Sequence, residues 1–361
     1  MRYHMLDYIY ESPAALYTTL AENESTLMAI MEECRNRQVD KIILTGLGSS
    51  YTAAAMAHPL FLVHSRHPAL LINAEELGYY HQRWLDARTL VISVSRSGER
   101  GAVIDAMHMA KTAGALAVAV TGVADSLLAQ SAEITLHTRE GAEVAFPKTK
   151  SVTACAAMLM RLGLAFSGMD DQAAFARLDR LQGMAPDLER TIHTLDEQIC
   201  AVLPAIKDRR FVNVAGTCSN HGVALEAAIK IQEASLIPTR GDSTASLWQG
   251  PIGALNSDWL VVALVMREDL DLSRRLLTLV REFGAFGLAV CPSGLDLEGL
   301  ADHRLDIPDW GDPYLAGLLY LPAIHLLAYH LTLARGLDPD KPGATDAVLK
   351  SILPPGRKEP D

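Results

Sequence analysis

The feature that most constrains this chain is a repeated order: a short run of aliphatic and β-branched residues, a turn of glycine and serine, then a helical stretch. KIILTG (41–46) leads through GLGSS into YTAAAMAHPLFL. FVNVAG (211–216) leads through TCSNHG into VALEAAIKIQEASL. Around the first of these lie further short apolar runs: ALLINA (69–74), TLVISV (89–94), ALAVAVTG (115–122) and EITLHT (133–138). Around the second lie WLVVALV (259–265), FGLAVC (286–291) and RLDIPD (304–309). Short apolar runs alternating with helical segments predict βαβ units and a parallel sheet covered on both faces. Helices are expected over 13–37 and 149–168, with a very apolar one over 314–336. The pattern predicts an N-terminal helical segment (1–37), an α/β domain (38–170), a helical connector (171–205), a second, similar α/β domain (206–345) and a polar tail (346–361).

The balance of charge narrows the partners. A formal net charge of −11 argues against nucleic acid or an anionic membrane as the main partner. No apolar run is read as long enough to span a membrane. MRYHMLDYIYESPAAL lacks the charged and apolar regions of a signal peptide. The five cysteines form no CxxC pair and read as reduced thiols, so a cytoplasmic location is expected. No His/Cys/Asp cluster has ligand spacing, so neither a metal nor a cofactor is expected.

Four stretches carry candidate chemistry. In TGLGSSYTAA, Ser49 and Ser50 open a helix, where free amides and the helix dipole favour an anion, although serine is also a routine cap. In VISVSRSGERGAVIDAM, Ser95, Arg96, Ser97 and Arg100 follow another strand. In an open parallel sheet both turns lie at the carboxyl ends of strands, where ligands bind. In ALEAAIKIQEASL, Glu226, Lys230 and Glu233 fall on one face of an otherwise apolar helix, the setting of a general base. Lys148, Thr149 and Lys150 in EVAFPKTK, and the WQGP turn at 248–251, are further ligand contacts to consider.

Taken in order, IYESPAAL, GLGSSYTAA, SVSRSGERGAVIDAM, VALEAAIKIQEAS, WQGPIGAL and LLAYHLTLARGLDPDKP resemble the sugar isomerase (SIS) family in its tandem form. They resemble the isomerase domain of glucosamine-6-phosphate synthase and the fructosamine-6-phosphate deglycases. The resemblance implies two SIS domains, each a three-layer α/β/α flavodoxin-like fold. It implies a phosphorylated amino sugar as substrate, with Ser50, Ser95 and Ser97 on its phosphate. It makes Glu233 the base that moves a proton between C1 and C2, flanked by Lys230 and Glu226. It also implies a homodimer with the active site at the subunit interface. Gln249 stands where the family has a histidine, and glutamine cannot exchange a proton near neutral pH. His221 is one substitute to test. Arg96, Arg100 and Lys148 depart from the family pattern, and Lys350 matches its C-terminal lysine weakly. With neither a glutaminase segment nor a cysteine at position 2, glutamine-dependent synthesis is not expected. The expected activity is isomerisation or deglycation through an enediol or enaminol. The alternative is a sensor that binds a sugar phosphate without turning it over.

Overall fold

The computed structural model describes residues 3–99, 101–167 and 171–343. They fall into two compact units. The first holds residues 14–142 and 150–183; the second holds residues up to Pro13, 143–149 and 184–343.

Two helices, α1 (His4–Ala21) and α2 (Glu24–Asn36), precede the first sheet. The division between units falls within α1, at Pro13. The first unit then runs β1 (Lys41–Gly46), α3 (Ser49–His64), β2 (Ala69–Asn73), α4 (Ala74–Glu76), β3 (Thr89–Val94) and α5 (Gly101–Thr112). It continues with β4 (Leu116–Thr121), α6 (Leu127–Ser131), β5 (Ile134–His137), α7 (Lys150–Ala165) and α8 (Gln172–Gln182). The strand order is β2-β1-β3-β4-β5, every pair parallel. Strands β3 and β4 are buried along their whole length because helices cover both faces. Helix α7 is buried from Lys150 to Leu164. Gly163 lets it cross α3 closely, since a Cβ there would stand 3.1 Å from both Leu60 and Phe61.

The second unit is built from α9 (Ala185–Ile206), β6 (Phe211–Gly216), α10 (Ser219–Ser235), β7 (Thr239–Ser243), α11 (Thr244–Trp248) and β8 (Trp259–Leu264). It closes with α12 (Leu270–Glu282), β9 (Phe286–Pro292), β10 (His303–Ile307) and α13 (Gly317–Ala334). Its sheet, β10-β9-β8-β6-β7, repeats the first order read from the other edge, again all parallel. The N-terminal residues join this unit through Asp340, whose carboxylate accepts from the amides of His4 and Met5 at the start of α1 (3.0 and 2.8 Å).

The expected α/β architecture with parallel sheets is the one found. Two expectations need correction, and one strand was not foreseen. The helix expected over 13–37 is two helices, beginning at His4 and broken after Ala21. Strand β7, TRGDS, has no apolar run to betray it, because it is an edge strand with a polar, partly exposed sequence. One apolar run is also long enough to cross a membrane. Helix α13 passes by length and composition, but 83% of that window is buried inside the protein, against α9 and α10.

Candidate functional site

In the order 2-1-3-4-5 the connections leave β1 and β3 in opposite directions, so a crevice opens between their carboxyl ends. Gly46, the last residue of β1, pairs with Val94, the last of β3. The two serine turns therefore begin side by side. Gly48 is exposed, with φ +53° and ψ −131°, and turns the chain so that Ser49 and Ser50, both half-buried, open α3. In the neighbouring turn, Ser95 Oγ accepts from the amide of Gly98 (3.1 Å) and Ser97 Oγ from the amide of Glu99 (3.4 Å). A serine hydroxyl that accepts a main-chain amide can still donate its own proton to an anion. Gly98 is the residue this turn cannot replace. Its φ is +66°, and a Cβ would lie 2.2 Å from Ser126 Oγ. The arrangement is a cradle of hydroxyls and first-turn amides suited to a phosphate.

The equivalent crevice of the second unit is filled by its own chain. Cys218 adopts the conformation of Gly48, with φ +51° and ψ −128°. Ser219, fully buried, gives its hydroxyl to the carbonyl of Pro313 (2.5 Å) and accepts from the amide of Gly317 (3.0 Å), tying α13 to α10. The carboxylate of Asp269 is held in the turn after β8. It accepts from the Thr217 hydroxyl, from the amide of Met266 (2.9 Å) and from Ser273 Oγ (3.2 Å). Burial pushes the Asp269 carboxyl above the ordinary carboxylate range, more than these hydrogen bonds pull it down. A small cavity after β8, lined by Met266, Arg267, Trp310 and Tyr320, is about 10 Å³, the scale of a single water. The same strand order has produced one open cradle and one closed one.

The second unit supplies a different group. Lys230, on α10, is 1% exposed and holds Glu233 Oε2 at 2.8 Å and Glu226 Oε1 at 3.4 Å. Glu226 is fully buried, whereas the Glu233 side chain is 31% exposed. Burial works against the lysine's charge, but Glu233, Glu226 and then Glu143 outweigh it and hold the ammonium above its ordinary range. A buried lysine thus stays cationic and grips an accessible carboxylate, fixing the orientation of its remaining lone pairs.

The other candidates are placed as follows. Arg96 Nε lies 3.8 Å from Oε1 of the buried Glu140, so its guanidinium is engaged inside its own unit. The Lys148 ammonium donates to the carbonyls of Glu143 and Ala145 (2.7 and 2.9 Å), and Thr149 is fully buried, donating from its amide and hydroxyl to Glu143 Oε1 (2.6 and 3.1 Å). Both hold the 143–149 loop rather than an open surface. Lys150 is buried at the start of α7. Gln249, exposed, follows α11. Arg100 and Lys350 lie outside the described residues. Within one chain, His221 does not stand beside Glu233. The two stand near opposite ends of α10, roughly 18 Å apart along its axis at about 1.5 Å per residue.

Two residues near Lys230 escaped the sequence reading. Glu143 is 1% exposed and opens the EVAFPKTK stretch, which was read only for Lys148, Thr149 and Lys150. His325 lies within the apolar run of α13, is 1% exposed, and its Nε2 has no hydrogen-bond partner among the described residues. Burial, and then the charge of Lys230, hold its imidazole well below the ordinary histidine range. Its only signal was a polar residue inside an apolar helix.

The family model that matches is the SIS domain, over residues 37–167. The chain is 30% identical, over 343 residues, to the glutamine–fructose-6-phosphate aminotransferase (isomerizing) of Thermococcus kodakarensis, a match covering 94% of this chain and 56% of the relative. The chain thus spans a little over half the length of the curated relatives it matches. In fold it is similar to the C-terminal domain of glucosamine-fructose-6-phosphate aminotransferase from Francisella tularensis, with TM-score 0.85, 22% identity, and 95% and 99% of the two chains covered. It is also similar to the tagatose-6-phosphate ketose/aldose isomerase of Escherichia coli, with TM-score 0.80, 19% identity, and 94% and 95% covered. Residues 37–167, which carry the β1/β3 crevice, thus match the SIS domain, and the whole chain shares its fold with the two solved structures.

Proposed function

We propose that this protein is an enzyme acting on a 6-phosphorylated sugar of the fructosamine or glucosamine type, with Glu233 as general base. The observation that carries the reading is the accessible Glu233 carboxylate fixed by a buried, cationic Lys230. Such a carboxylate can remove a proton from a carbon beside a carbonyl or imine. The open serine cradle supports the phosphate assignment: Ser50, Ser95 and Ser97 donate hydroxyl protons, and the first amides of α3 add their dipoles. Proton removal gives an enediol or enaminol. Return of the proton to the neighbouring carbon is isomerisation; hydrolysis releasing the amine is deglycation. We further propose a cytoplasmic homodimer in which Gln249, exposed on each subunit, occupies the place of the family histidine at the partner's site.

One observation favours a second reading. Gln249 cannot exchange a proton near neutral pH, which suits a sensor that binds a sugar phosphate unchanged. A thermal-shift screen against fructose, glucosamine and fructosamine 6-phosphates tests both, followed by an assay of each stabilising ligand for product sugar phosphate or released amine. Turnover is the expected result. A ligand that stabilises the protein and survives intact leaves the sensor.

A further inference from the structure

The connection from β2 to β3 carries a surface that the sugar chemistry does not use. After α4 the chain makes one turn of π-helix (Leu77–His81) and one of 3₁₀-helix (Gln82–Trp84), so AEELGYYHQRW is a single helical segment over 74–84. It is pinned at both ends. Leu77 and Leu85 are buried in the core cluster that holds Val91 of β3 and Met107 of α5. Asn73 accepts from the amide of Glu75 (3.0 Å), and Gln82 Nε2 donates to the carbonyl of Gly78 (2.6 Å). The wide π-turn brings residues four to five apart onto one side. The outer side is therefore Glu75 and Glu76, then Tyr79 and Tyr80, then Arg83 and Trp84, all exposed. Tyr79 is 80% and Tyr80 73% exposed, the highest values of any large hydrophobic side chains among the described residues. The rings form a connected row, with centroids 6.0 Å apart from Tyr79 to Tyr80, 6.3 Å from Tyr80 to His81 and 4.5 Å from His81 to Trp84.

Aromatic side chains grouped in water on a fixed backbone mark an interaction site, and Tyr and Trp are enriched in protein–protein contacts. Two occupants can be compared by shape and charge. A small ligand needs a concave site, whereas the outer side of a helical segment is convex. A second copy of the chain fits better. An isologous contact requires a patch complementary to itself, so that residue i meets j while j meets i. This face has an acidic end (Glu75, Glu76), an aromatic middle (Tyr79, Tyr80) and a basic residue at the other end (Arg83). Tyr79 stands four residues from both Glu75 and Arg83. Two such faces laid antiparallel about a two-fold axis through the tyrosines bring each acidic end onto the other copy's arginine. Laid parallel, they would oppose like charges. Glu75, Glu76 and Arg83 make no ion pair within the chain among the described residues, so their charges are uncommitted.

We propose that residues 75–84 form the centre of a two-fold contact between copies of this chain, tyrosine row on tyrosine row, with Glu75 and Glu76 of each copy paired to the other's arginine. The proposal rests on the homodimer read above and names a surface that forms it. Sedimentation velocity of the whole chain over a concentration series tests it. The expected parent is a dimer. Tyr79→Arg with Tyr80→Arg should raise its dissociation constant by about 10²-fold or more. Arg83→Glu should raise it by about tenfold. Arg83→Glu combined with Glu75→Arg and Glu76→Arg inverts every charge of the patch and should restore the parent value. All five side chains are exposed, so the variants fold as the parent does, which circular dichroism melts verify. A residue beside the two-fold axis meets its own counterpart. Tyr79→Cys should therefore cross-link into a covalent dimer on mild oxidation, in a C200S background because Cys200 is the exposed thiol among the described residues. Tyr17→Cys, 61% exposed on α1, should not. A parent chain that stays monomeric removes the homodimer and this surface together. A dimer that the double tyrosine variant leaves intact, or a charge inversion that fails to restore it, overturns this surface alone.

Discussion

Glu233 and Lys230 touch each other, yet substitutions at the two should read out differently. Glu233 is partly exposed, so Glu233→Gln should leave the melting temperature nearly unchanged while turnover falls by about 10²-fold or more. Lys230→Ala strips the cation from the buried Glu226 and should cost about 3–5 kcal/mol of stability as well. Urea unfolding of the two variants beside their turnover separates these effects. His325 makes a pH prediction. Its folded pKa is depressed, so below about pH 6.5 the unfolded chain takes up a proton that the folded chain refuses. Its contribution is intact above that value and is lost on acidification, at up to about 1.4 kcal/mol per pH unit. The stability of the parent relative to His325→Gln should therefore fall as the pH is lowered from 7 to 5. A pH-independent difference would mean that the imidazole is not held neutral. The Glu226, Lys230 and Glu233 face was legible in the sequence because helical periodicity is local. Glu143 and His325 were not, because long-range packing brings them to Lys230.

At the scale of elements, the strand–turn–helix units were the legible part. Strands β1, β3 and β6 fall on the residues expected, because central strands of a parallel sheet are continuous apolar runs. Strand β7 was invisible because an edge strand needs no such run. Nothing in the composition of the two Gly/Ser turns distinguishes the open one from the closed one. In the second unit the turn is tied by its own side chains, Asp269 to Thr217 and Ser273, and Ser219 to Pro313. The cradle's dependence on Gly98 can be checked with a nearby control. Gly98→Ala should weaken sugar-phosphate binding by about tenfold or more and lower stability, since both φ and the Ser126 contact are violated. Gly101→Ala, with open space around its Cβ and a place at the start of α5, should bind normally. Calorimetry on the pair measures this, and equal affinities would contradict the cradle.

At the scale of the molecule, the two units do not follow chain order. The second takes in the first turns of α1 and the 143–149 loop, which supply Tyr10 to Asp196 and Glu143 to Thr149 and Lys230. The sequence pattern marked two repeats but could not mark this exchange, because short capping segments carry no periodicity of their own. A chain cut to residues 184–361 keeps every strand of the second sheet and loses these partners. Its urea midpoint should be clearly lower than that of the corresponding transition in the whole chain. An unchanged midpoint would show that the exchanged segments contribute little.

The central claim is that Glu233 moves a proton on a phosphorylated sugar. Incubation with fructose, glucosamine and fructosamine 6-phosphates in D₂O, followed by proton NMR at C1 and C2, tests it most directly. The account predicts that the parent chain washes solvent deuterium into one of these positions and that Glu233→Gln binds the same ligand without exchange. Binding with no exchange by the parent chain on any of these sugars, or undiminished exchange by the variant, would contradict it.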